Sequence, residues 1–517
     1  MEPALTIPYP GLMRMTLGIR MAFLVLGIQL IPAAAAESIP LPRSTPEKQG
    51  ASSVGLLRFI DALDRIDQVH SVMILRHGKV IIEGWWSPYD AATPHEMYSL
   101  SKSFTSTAVG LAIGEGRFSV DDPVLKWFPE DAPPQPSANL RAMRVRDLLT
   151  MSTGHQDEPP TAPGVVSAKS FLAQPVPHKP GTHFKYNTAS TFMQSALVQK
   201  ASGQTVLDYL EPRLFAPLGI AKPTWDTNLE GINLGGYGLR LRTEDIAKLG
   251  QLYLQKGRWQ GRQLLPTTWV EMATSRQMSN GSNPESDWDQ GYGYQFWRCR
   301  HNAYRGDGAF GQYCLVLPDQ DVVVAITGGL GDMQAVLNRV WEELLPAFSA
   351  PLGSHLEQDQ KRLSQRLSGL MVRPASGKAT SPRAAQVVGR TYRFPNNEEG
   401  LESLRLDHEE GKGWIVTRTF RGTEYRLSCG VGIWLQGHGM LGASPRGPLR
   451  PLSPEPLAAS AAWSSDDTLV VKICAKTTPF HTTLNLKFTG DEVVMDSRTN
   501  VGFAGTHPAP LTGQSAR

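Results

Sequence analysis

The 517-residue chain lacks several features that would identify its class at once. Cysteine is scarce, with four residues, and 51 Lys and Arg nearly balance 48 Asp and Glu, which leaves a formal net charge of only +3. A chain of this length with so little net charge does not predict a nucleic-acid or polyanion surface. The apolar run at residues 21–31 is shorter than the roughly 20 residues that a membrane-spanning helix needs, and no later stretch is longer.

Common enzyme signatures are also missing. There is no G-x-S-x-G, no H-E-x-x-H, no Walker A motif and no Rossmann glycine set after an early strand. The spacing G-x-G-x-x-G does occur at Gly306, Gly308 and Gly311, but it leads into a predicted strand rather than opening a helix. These absences disfavour an α/β-hydrolase, a zinc peptidase and a dinucleotide site, and no metal or organic cofactor is predicted.

The N-terminus has the pattern of an export signal. Arg14 and Arg20 precede the apolar run, and four alanines ending at Ala36 follow it. This order predicts cleavage near Ala36, so residues 1–36 are a signal peptide and the mature protein is periplasmic or secreted, without a membrane span. The alternative is an uncleaved N-terminal anchor.

Export affects the interpretation of the cysteines. An even number of cysteines in an oxidising compartment favours disulfides, and the most economical pairing joins Cys299 to Cys314 and Cys429 to Cys474. The alternative is four buried, unpaired thiols. None of the four has the spacing of a metal site.

Residues 37–350 are predicted to form an α+β domain. Apolar residues at helical spacing occupy 54–66, followed by a strand, a turn at His77 and Gly78, and a returning strand. Further strand patterns come late, at 292–300, 312–317 and 322–327, before a helical stretch at 336–345. An antiparallel sheet is therefore assembled from both ends of the domain, with helices inserted between.

The composition and the hydrophobic pattern of the sequence change after this domain. Residues 351–385 are predicted to hold a polar helix and an exposed linker rich in Pro, Ser and Gly. Residues 386–517 contain short alternating runs broken by Gly, Asn, Asp and Pro, the pattern of an all-β module, either a barrel or a sandwich. This module is a candidate substrate lid, dimer contact or carbohydrate-binding unit.

One Ser-x-x-Lys motif, at Ser99 and Lys102, is a candidate pair of nucleophile and base. The following residues have helical apolar spacing, so Ser99 lies at a helix N-terminus with Lys102 one turn along on the same face. The helix end favours developing negative charge, and a partly buried lysine with a lowered pKa can accept the serine proton. Taken alone, the motif is better explained by a solvated Ser and Lys in the first helical turn, because a Ser-x-x-Lys is expected about once by chance in a chain of this composition.

Several sequence segments, in a fixed order along the chain, resemble the motifs of a known protein family. The chain resembles the serine β-lactamase and penicillin-binding-protein superfamily, most closely its class C-like hydrolases, which include family VIII esterases, D-amino-acid peptidases and 6-aminohexanoate-oligomer hydrolases. The similarity covers roughly residues 45–348 and rests on YSLSKSFT (98–105), RDLLTMSTG (146–154), PGTHFKYNT (180–188), GGYGLRLRTED (235–245), GYGYQFW (291–297) and GDGAFGQ (306–312). The resemblance implies an antiparallel sheet flanked by helices, with a helical subdomain.

The resemblance also implies roles for individual residues. Ser99 corresponds to the acylated nucleophile, Lys102 to its proton partner and Tyr186 to the tyrosine that relays protons. A tyrosine normally titrates near 10, so it acts as a base only if cations such as Lys102 stabilise its phenolate. The backbone N–H groups of Ser99 and Ala309 correspond to the oxyanion hole.

Two departures from the family pattern concern substrate binding. Family members often have Tyr-x-Asn, whereas this chain has Tyr186 followed by Asn187 and Thr188. The candidate substrate-binding residues are Asn187, Thr188, Asp307 and Gly308. The third motif usually begins with Lys or His, but here Gly306 takes that place. Penicillins and peptidyl-D-alanine carry a carboxylate that this cation binds, so the absence of the cation disfavours both compounds as substrates.

The charged residues beside Gly306 are predicted not to replace the missing cation. The side chain of Arg305 is expected to point to the other face of the strand. Asp307 is expected either to be hydrogen-bonded within the protein or to meet a substrate amine. Four aromatic residues are candidates for lining an acyl pocket, with core packing as the default: Trp85, Trp86, Trp297 and Tyr237.

The sequence therefore predicts an exported serine hydrolase that cleaves small esters or linear amides through an acyl-enzyme on Ser99. The alternative activities are those of a D-aminopeptidase, a DD-peptidase or a β-lactamase. A non-catalytic binding or sensor protein of the same fold is the alternative from another class. The expected partner is a small-molecule ester or amide, and the sequence does not give the oligomeric state.

Overall fold

The computed structural model describes residues 38–410, 413–441, 453–503 and 505–516. The predicted signal peptide, residues 1–36, lies outside the described residues. Within these ranges, no helix combines the length and apolar character needed to cross a bilayer.

The strands and helices alternate unevenly along the chain. The helices are α1 (Ser53–Ile66), α2 (Ser101–Gly114), α3 (Val124–Trp127), α4 (Ala138–Ala142), α5 (Val145–Leu149), α6 (Ala168–Leu172), α7 (Thr188–Ser202), α8 (Val206–Leu210), α9 (Ala216–Leu218), α10 (Thr243–Leu254), α11 (Thr267–Thr274), α12 (Met333–Arg339), α13 (Leu345–Ala347), α14 (Leu356–Ser368) and α15 (Ala384–Val387). The strands are β1 (Val69–Arg76), β2 (Lys79–Trp85), β3 (His95–Glu96), β4 (Thr224–Trp225), β5 (Leu239–Leu241), β6 (Arg258–Trp259), β7 (Arg262–Gln263), β8 (Trp297–Arg298), β9 (Tyr304–Gly308), β10 (Gln312–Leu317), β11 (Val322–Gly328), β12 (Thr391–Arg393), β13 (Leu401–Glu409), β14 (Gly413–Phe420), β15 (Thr423–Cys429), β16 (Leu435–Gly439), β17 (Glu455–Trp463), β18 (Thr468–Ala475), β19 (His481–Thr489), β20 (Glu492–Thr499) and β21 (Leu511–Ser515).

The central sheet joins the two ends of the first domain, as predicted for an α+β fold. Its order is β2-β1-β11-β10-β9-β8, and every neighbouring pair is antiparallel. The β1–β2 hairpin turns at His77 and Gly78, whose φ values of 51° and 72° suit a two-residue turn. The predicted strand at 292–300 is reduced to β8, because the backbone of Tyr292 to Tyr294 bonds to Met278 and Ala273 instead.

Each face of the sheet is covered by its own helices. Alternate residues such as Met73, Leu75 and Val316 pack with α2 and α10, whereas Val72 and Ile74 pack with α1 and α12. Most of the helices between β3 and β8 belong to the first of these clusters. The site region therefore lies where the helical insertion meets the edge strand β8 and its neighbour β9.

The predicted disulfides are wrong, because all four cysteines are free and buried. Cys314 and Cys299 belong to clusters on opposite faces of the central sheet, so their side chains cannot meet. Cys429 lies in the core of the β-rich module, whereas Cys474 packs with the cluster on the face of the central sheet that α1 and α12 cover. Sequence proximity and an even count did not reveal which face each thiol occupies.

The C-terminal module is a nearly closed barrel. Ten antiparallel strands run in the order β15-β14-β13-β12-β21-β20-β19-β18-β17-β16. Gly430, just after β15, exchanges backbone hydrogen bonds of 3.3 and 2.9 Å with Ala459 and Ala461 of β17, which brings the two ends of the sheet together. The strands enclose an apolar core that includes Leu404 and Leu486.

Helix α14 connects the barrel to the first domain and packs on α1. Arg366 donates to Asp61 and to Asp64 at 2.7 Å each. The barrel also contacts the region before α2 directly, since Glu96 N donates to Thr477 O at 2.8 Å. The β-rich module is therefore seated against the part of the chain that carries Ser99.

Candidate active site

Ser99 lies in a tight helical turn, Tyr98–Leu100, that leads directly into α2. Its side chain is half-buried, so it remains accessible to a ligand. The preceding residue, Tyr98, has a φ of 46°, a left-handed conformation that costs a bulky residue on the order of 1–3 kcal/mol. Surrounding contacts must therefore hold this turn in place.

Lys102 points back at Ser99 from the first turn of α2. Its Nζ donates to Ser99 Oγ at 3.1 Å and to Gly236 O at 2.8 Å, and it lies 3.5 Å from Thr188 Oγ1. The residue is only 1% exposed. This burial lowers the pKa of Lys102 to about 7, against the opposing effect of the carboxylates of Glu158 and Asp307. A large fraction of Lys102 is therefore neutral near pH 7 and able to accept a proton.

Tyr186 completes a compact group with Ser99 and Lys102. Its ring stacks on Trp297, with centroids 5.5 Å apart and planes 16° apart, and Lys102 Nζ lies 5.0 Å from the ring centre. Burial raises the pKa of Tyr186 well above its usual range, the negative charge of Asp307 raises it further, and a hydrogen bond with Ser99 opposes both. The phenol is therefore neutral at ordinary pH, and the condition under which it would act as a phenolate base is not met.

The end of β9 lies against the turn that carries Ser99. A Cβ added to Gly308 would lie 2.0 Å from Met97 O and 3.1 Å from Leu100 N, so only glycine permits this approach. Ala309, the residue after Gly308, follows directly on this contact. The first N–H groups of a helix lack acceptors within the helix, so the N–H of Ser99 can be directed at a ligand.

Gly306 also faces the start of α2. A Cβ at this position would lie 2.3 Å from Ser103 Oγ and 2.7 Å from Leu100 Cδ1. A lysine or histidine here would have to push aside the Ser103 hydroxyl and a methyl group of Leu100. The close packing at Gly306 thus agrees with the absence of a cation at this position.

Asp307 is held by Arg305, the first of the two outcomes predicted for it. Arg305 Nε donates to Asp307 Oδ2 at 2.8 Å, and both side chains are buried. The guanidinium lies over Trp288, 4.4 Å from the ring centre, and also donates to Asp287 O at 2.7 Å. These contacts direct Arg305 away from the face occupied by Gly306, as predicted, and leave its charge engaged inside the protein.

Of the two residues after Tyr186, only Thr188 remains near the site. Asn187 is fully buried, and its Oδ1 accepts from Ser190 N at 3.0 Å, which caps helix α7. The Asn187 amide donates to Thr153 Oγ1 at 3.4 Å, so the predicted contact between Asn187 and substrate is not supported by this arrangement. Thr188 is half-buried, and its hydroxyl faces Lys102.

Glu158 is a charged group at the site that the sequence did not single out. It is exposed, and its Oε1 accepts from Thr188 N at 2.5 Å. Its negative charge acts on both Lys102 and Tyr186. Glu158 lies in a loop without a recognisable pattern, so only its fold-dependent contact with α7 reveals it.

Of the four aromatic candidates for an acyl pocket, Trp297 is the one that touches the group around Tyr186. Trp86 is buried against α1, where its Nε1 donates to Asp64 Oδ1 at 2.7 Å. Tyr237 OH donates to Thr161 O at 2.7 Å. Within the described part of the chain, no group of three or more His, Cys, Asp or Glu side chains could hold a metal ion.

The fold and this arrangement of residues agree with a family comparison. The model of the Beta-lactamase family matches residues 64–332, which is more than half of the 517 residues. The chain therefore belongs to the β-lactamase family, and the fold is that of its serine hydrolases, followed by the C-terminal barrel.

Individual relatives are distant. The 6-aminohexanoate-dimer hydrolase of Paenarthrobacter ureafaciens is 24% identical over 346 residues, covering 59% of this chain and 84% of the relative. An uncharacterised protein of Alkalihalophilus pseudofirmus is 25% identical over 245 residues, covering 42% of this chain and 67% of its own. A solved Bacillus anthracis structure, provisionally assigned as a 6-aminohexanoate-dimer hydrolase, superposes with a TM-score of 0.51 at 18% identity, covering 63% and 91% of the two chains. The structural likeness establishes the fold.

Proposed function

We propose that the protein is an exported hydrolase that cleaves small esters or linear amides through an acyl-enzyme on Ser99. The observation that carries this proposal is the 3.1 Å contact between Ser99 Oγ and Lys102 Nζ, combined with the burial that lowers the pKa of Lys102 to about 7. A base with a pKa near the working pH is the most effective one for removing a hydroxyl proton. The export part of the proposal rests on residues 1–36 alone.

The first half-reaction forms the acyl-enzyme. Neutral Lys102 accepts the Ser99 proton while Ser99 Oγ bonds to the carbonyl carbon, and the electron pair of the C=O bond moves onto oxygen. The backbone N–H groups of Ser99 and Ala309 donate to this oxyanion. When the tetrahedral intermediate collapses, the Tyr186 phenol protonates the departing alcohol or amine, and the proton held by Lys102 restores the phenol.

The second half-reaction returns the enzyme to its starting state. Water attacks the ester carbon of the acyl-enzyme and loses a proton to the same base, and the carboxylic acid leaves as Ser99 Oγ regains a proton. The steps balance without a redox reagent.

The charges of the site support esters and linear amides over β-lactams as substrates. Gly306 supplies no carboxylate-binding cation and is closely packed, and the neighbouring Arg305 is engaged with Asp307. A substrate carboxylate would meet the exposed Glu158 instead. The Glu158 carboxylate favours a second candidate function, that of an amidase or D-aminopeptidase acting on substrates that bear an ammonium group.

Labelling tests the proposed nucleophile. The mature protein and Ser99→Ala are incubated with a small serine-reactive phosphonate, and the intact masses are measured. One adduct on the parent and none on the variant is expected. A folded parent without an adduct would favour the non-catalytic binding protein over the hydrolase.

Substrate panels then separate the activities. p-Nitrophenyl esters and neutral linear amides are compared with ammonium-bearing amides and a chromogenic cephalosporin. Turnover of the cephalosporin at a rate matching the best ester would contradict the substrate class proposed here.

A further inference from the structure

The barrel places two phenylalanines beside the turn that carries Ser99. Phe480 lies in the connection between β18 and β19, and Phe503 follows β20. The Phe503 ring centre lies 5.4 Å from that of Tyr98 and 4.8 Å from that of Phe310. Phe480 is 6.3 Å from Tyr98 and 5.7 Å from Phe310, so all four rings form one cluster.

The two residues held by this cluster are the chain neighbours of the proposed oxyanion donors. Tyr98 precedes Ser99, and Phe310 follows Ala309. Both have left-handed backbone conformations, with φ values of 46° and 67°. Bulky aromatic residues avoid this conformation unless their surroundings impose it, so the packing of the rings compensates for the strain.

Hydrogen bonds tie the same barrel loops to the same two segments. On the side of Tyr98, Glu96 N donates to Thr477 O at 2.8 Å. On the side of Phe310, Asn500 Nδ2 donates both to Gly329 O and to Pro479 O, at 2.9 Å each. Leu330 N, next to Gly329, donates to Phe310 O at 2.9 Å. The barrel therefore fixes both sides of the proposed oxyanion hole.

We propose that Phe480 and Phe503 are positioning residues that hold the Ser99 and Ala309 N–H groups in register for the oxyanion. We call Tyr98, Phe310, Phe480 and Phe503 the aromatic clamp. The clamp rests on the proposed function, because it acts through the oxyanion hole of that reaction. It gives the barrel a direct part in turnover, beyond covering or assembling the enzyme.

Phe503 is the better of the two barrel residues to change. Phe480 is fully buried, so its truncation would disturb the barrel core, whereas Phe503 is 47% exposed. Phe503→Ala removes the ring contacts to Tyr98 and Phe310 and leaves the enclosed core intact. Ile433→Ala is the matched control, because Ile433 is a barrel residue with 54% exposure outside the clamp.

The test compares kinetics with binding of a transition-state analogue in the full-length mature protein. The parent is first titrated with the phosphonate to establish the reactive serine. For the parent, Phe503→Ala, Phe503→Leu and Ile433→Ala, kcat and KM are measured with a p-nitrophenyl ester, together with the Ki of a small boronic acid. The boronic acid adds to the serine and places an oxygen where the oxyanion forms, so its Ki reports the alignment of the donors.

In Phe503→Ala, kcat is expected to fall about tenfold, less than the hundredfold or more caused by deleting a donor. The Ki should rise by a similar factor while KM changes less than twofold. Phe503→Leu, which keeps apolar volume, should recover part of the loss, and Ile433→Ala should match the parent. Thermal melting establishes that each variant is folded.

Unchanged kcat and Ki in folded Phe503→Ala, on a parent that is labelled by phosphonate, would overturn the clamp and leave the proposed function standing. A rise in KM alone would also overturn it, because Phe503 would then only contact substrate. A parent that takes no phosphonate would overturn the proposed function and the clamp together.

Discussion

Arg305 and Asp307, two residues apart on β9, form a buried ion pair with 2.8 Å between Nε and Oδ2. They alternate with Gly306 and Gly308, whose α-carbons pack against the turn that carries Ser99. The glycine side of β9 thus packs closely against the turn of Ser99, and on the opposite side Arg305 and Asp307 pair with each other. Among the residues of β9, no cation is left free to hold a substrate carboxylate.

Breaking this ion pair is expected to affect stability rather than substrate choice. Asp307→Ala leaves Arg305 as an unpaired buried charge, which costs on the order of 3–5 kcal/mol of unfolding free energy. The preference between ammonium-bearing and neutral amides should stay the same, because Asp307 is already engaged. Denaturant unfolding and paired kcat/KM values measure the two effects.

A double variant is the control. Arg305→Met with Asp307→Leu removes both charges and should recover most of the stability lost in Asp307→Ala. If Asp307→Ala changed the ammonium preference instead, Asp307 would have to meet the substrate amine.

The pH dependence of acylation should follow Lys102. Its amine is the proposed base, so the rate is low while the group is protonated and rises as pH increases through about 7. The second-order rate of phosphonate labelling, measured between pH 5 and pH 9, gives this profile. An inflection near pH 10, typical of an unburied lysine, would show that Lys102 is not the group controlling the reaction.

Replacing Lys102 should abolish activity but stabilise the fold. Burial disfavours the charged lysine by about 1.4 kcal/mol for each unit by which its pKa falls, so Lys102→Met should gain on the order of a few kcal/mol below pH 7. Between pH 7 and 10.5 the unfolded parent holds a proton that the folded parent has lost, so the parent's unfolding free energy rises with pH in this window.

The advantage of Lys102→Met should therefore shrink as pH increases from 7 toward 10. Urea unfolding of both proteins at several pH values measures it. A difference independent of pH would mean that Lys102 titrates alike in the folded and unfolded states.

Local spacing was enough to predict that Ser99 and Lys102 are neighbours on one helix face, whereas their catalytic roles came from the family resemblance. Residues three apart at the start of a helix share a face, so the sequence alone brings these side chains together. The α+β layout was also predictable, because the hairpin at His77 and the late strands have clear alternation. Tyr186 came only from the family resemblance, since nothing in its own neighbourhood marks a catalytic phenol.

The missed features depend on contacts between distant parts of the chain. Glu158 approaches the site only because it binds the first N–H of α7, and Phe503 only because the barrel docks on the turn at Tyr98. The cysteine pairing failed for the related reason that sequence distance does not tell which side of a sheet a residue occupies. Secondary-structure patterns carry no information on either kind of contact.

Tyr186→Phe should separate amides from activated esters. The phenol is proposed to protonate the leaving group, which an alkyl amine requires and a p-nitrophenolate does not. Amide turnover is therefore expected to fall by about 10²–10⁴-fold, and p-nitrophenyl ester turnover by much less. Parallel kcat values on the two substrates measure the ratio, and equal losses on both would assign Tyr186 to activating Ser99 instead.

Glu158→Gln should change the response to substrate charge. The exposed carboxylate sits at the N-terminus of α7, within electrostatic reach of Lys102 and Tyr186, so it attracts an ammonium group on the substrate and repels a carboxylate. Since an exposed ion pair contributes only about 0.2–1 kcal/mol, kcat/KM for ammonium-bearing amides relative to neutral ones should fall about two- to fivefold. The effect should weaken at high salt, because exposed charges are screened. Asp307→Ala, which changes a buried and already paired carboxylate, is the matched comparison, and an equal response of the two variants would contradict a specific role for Glu158.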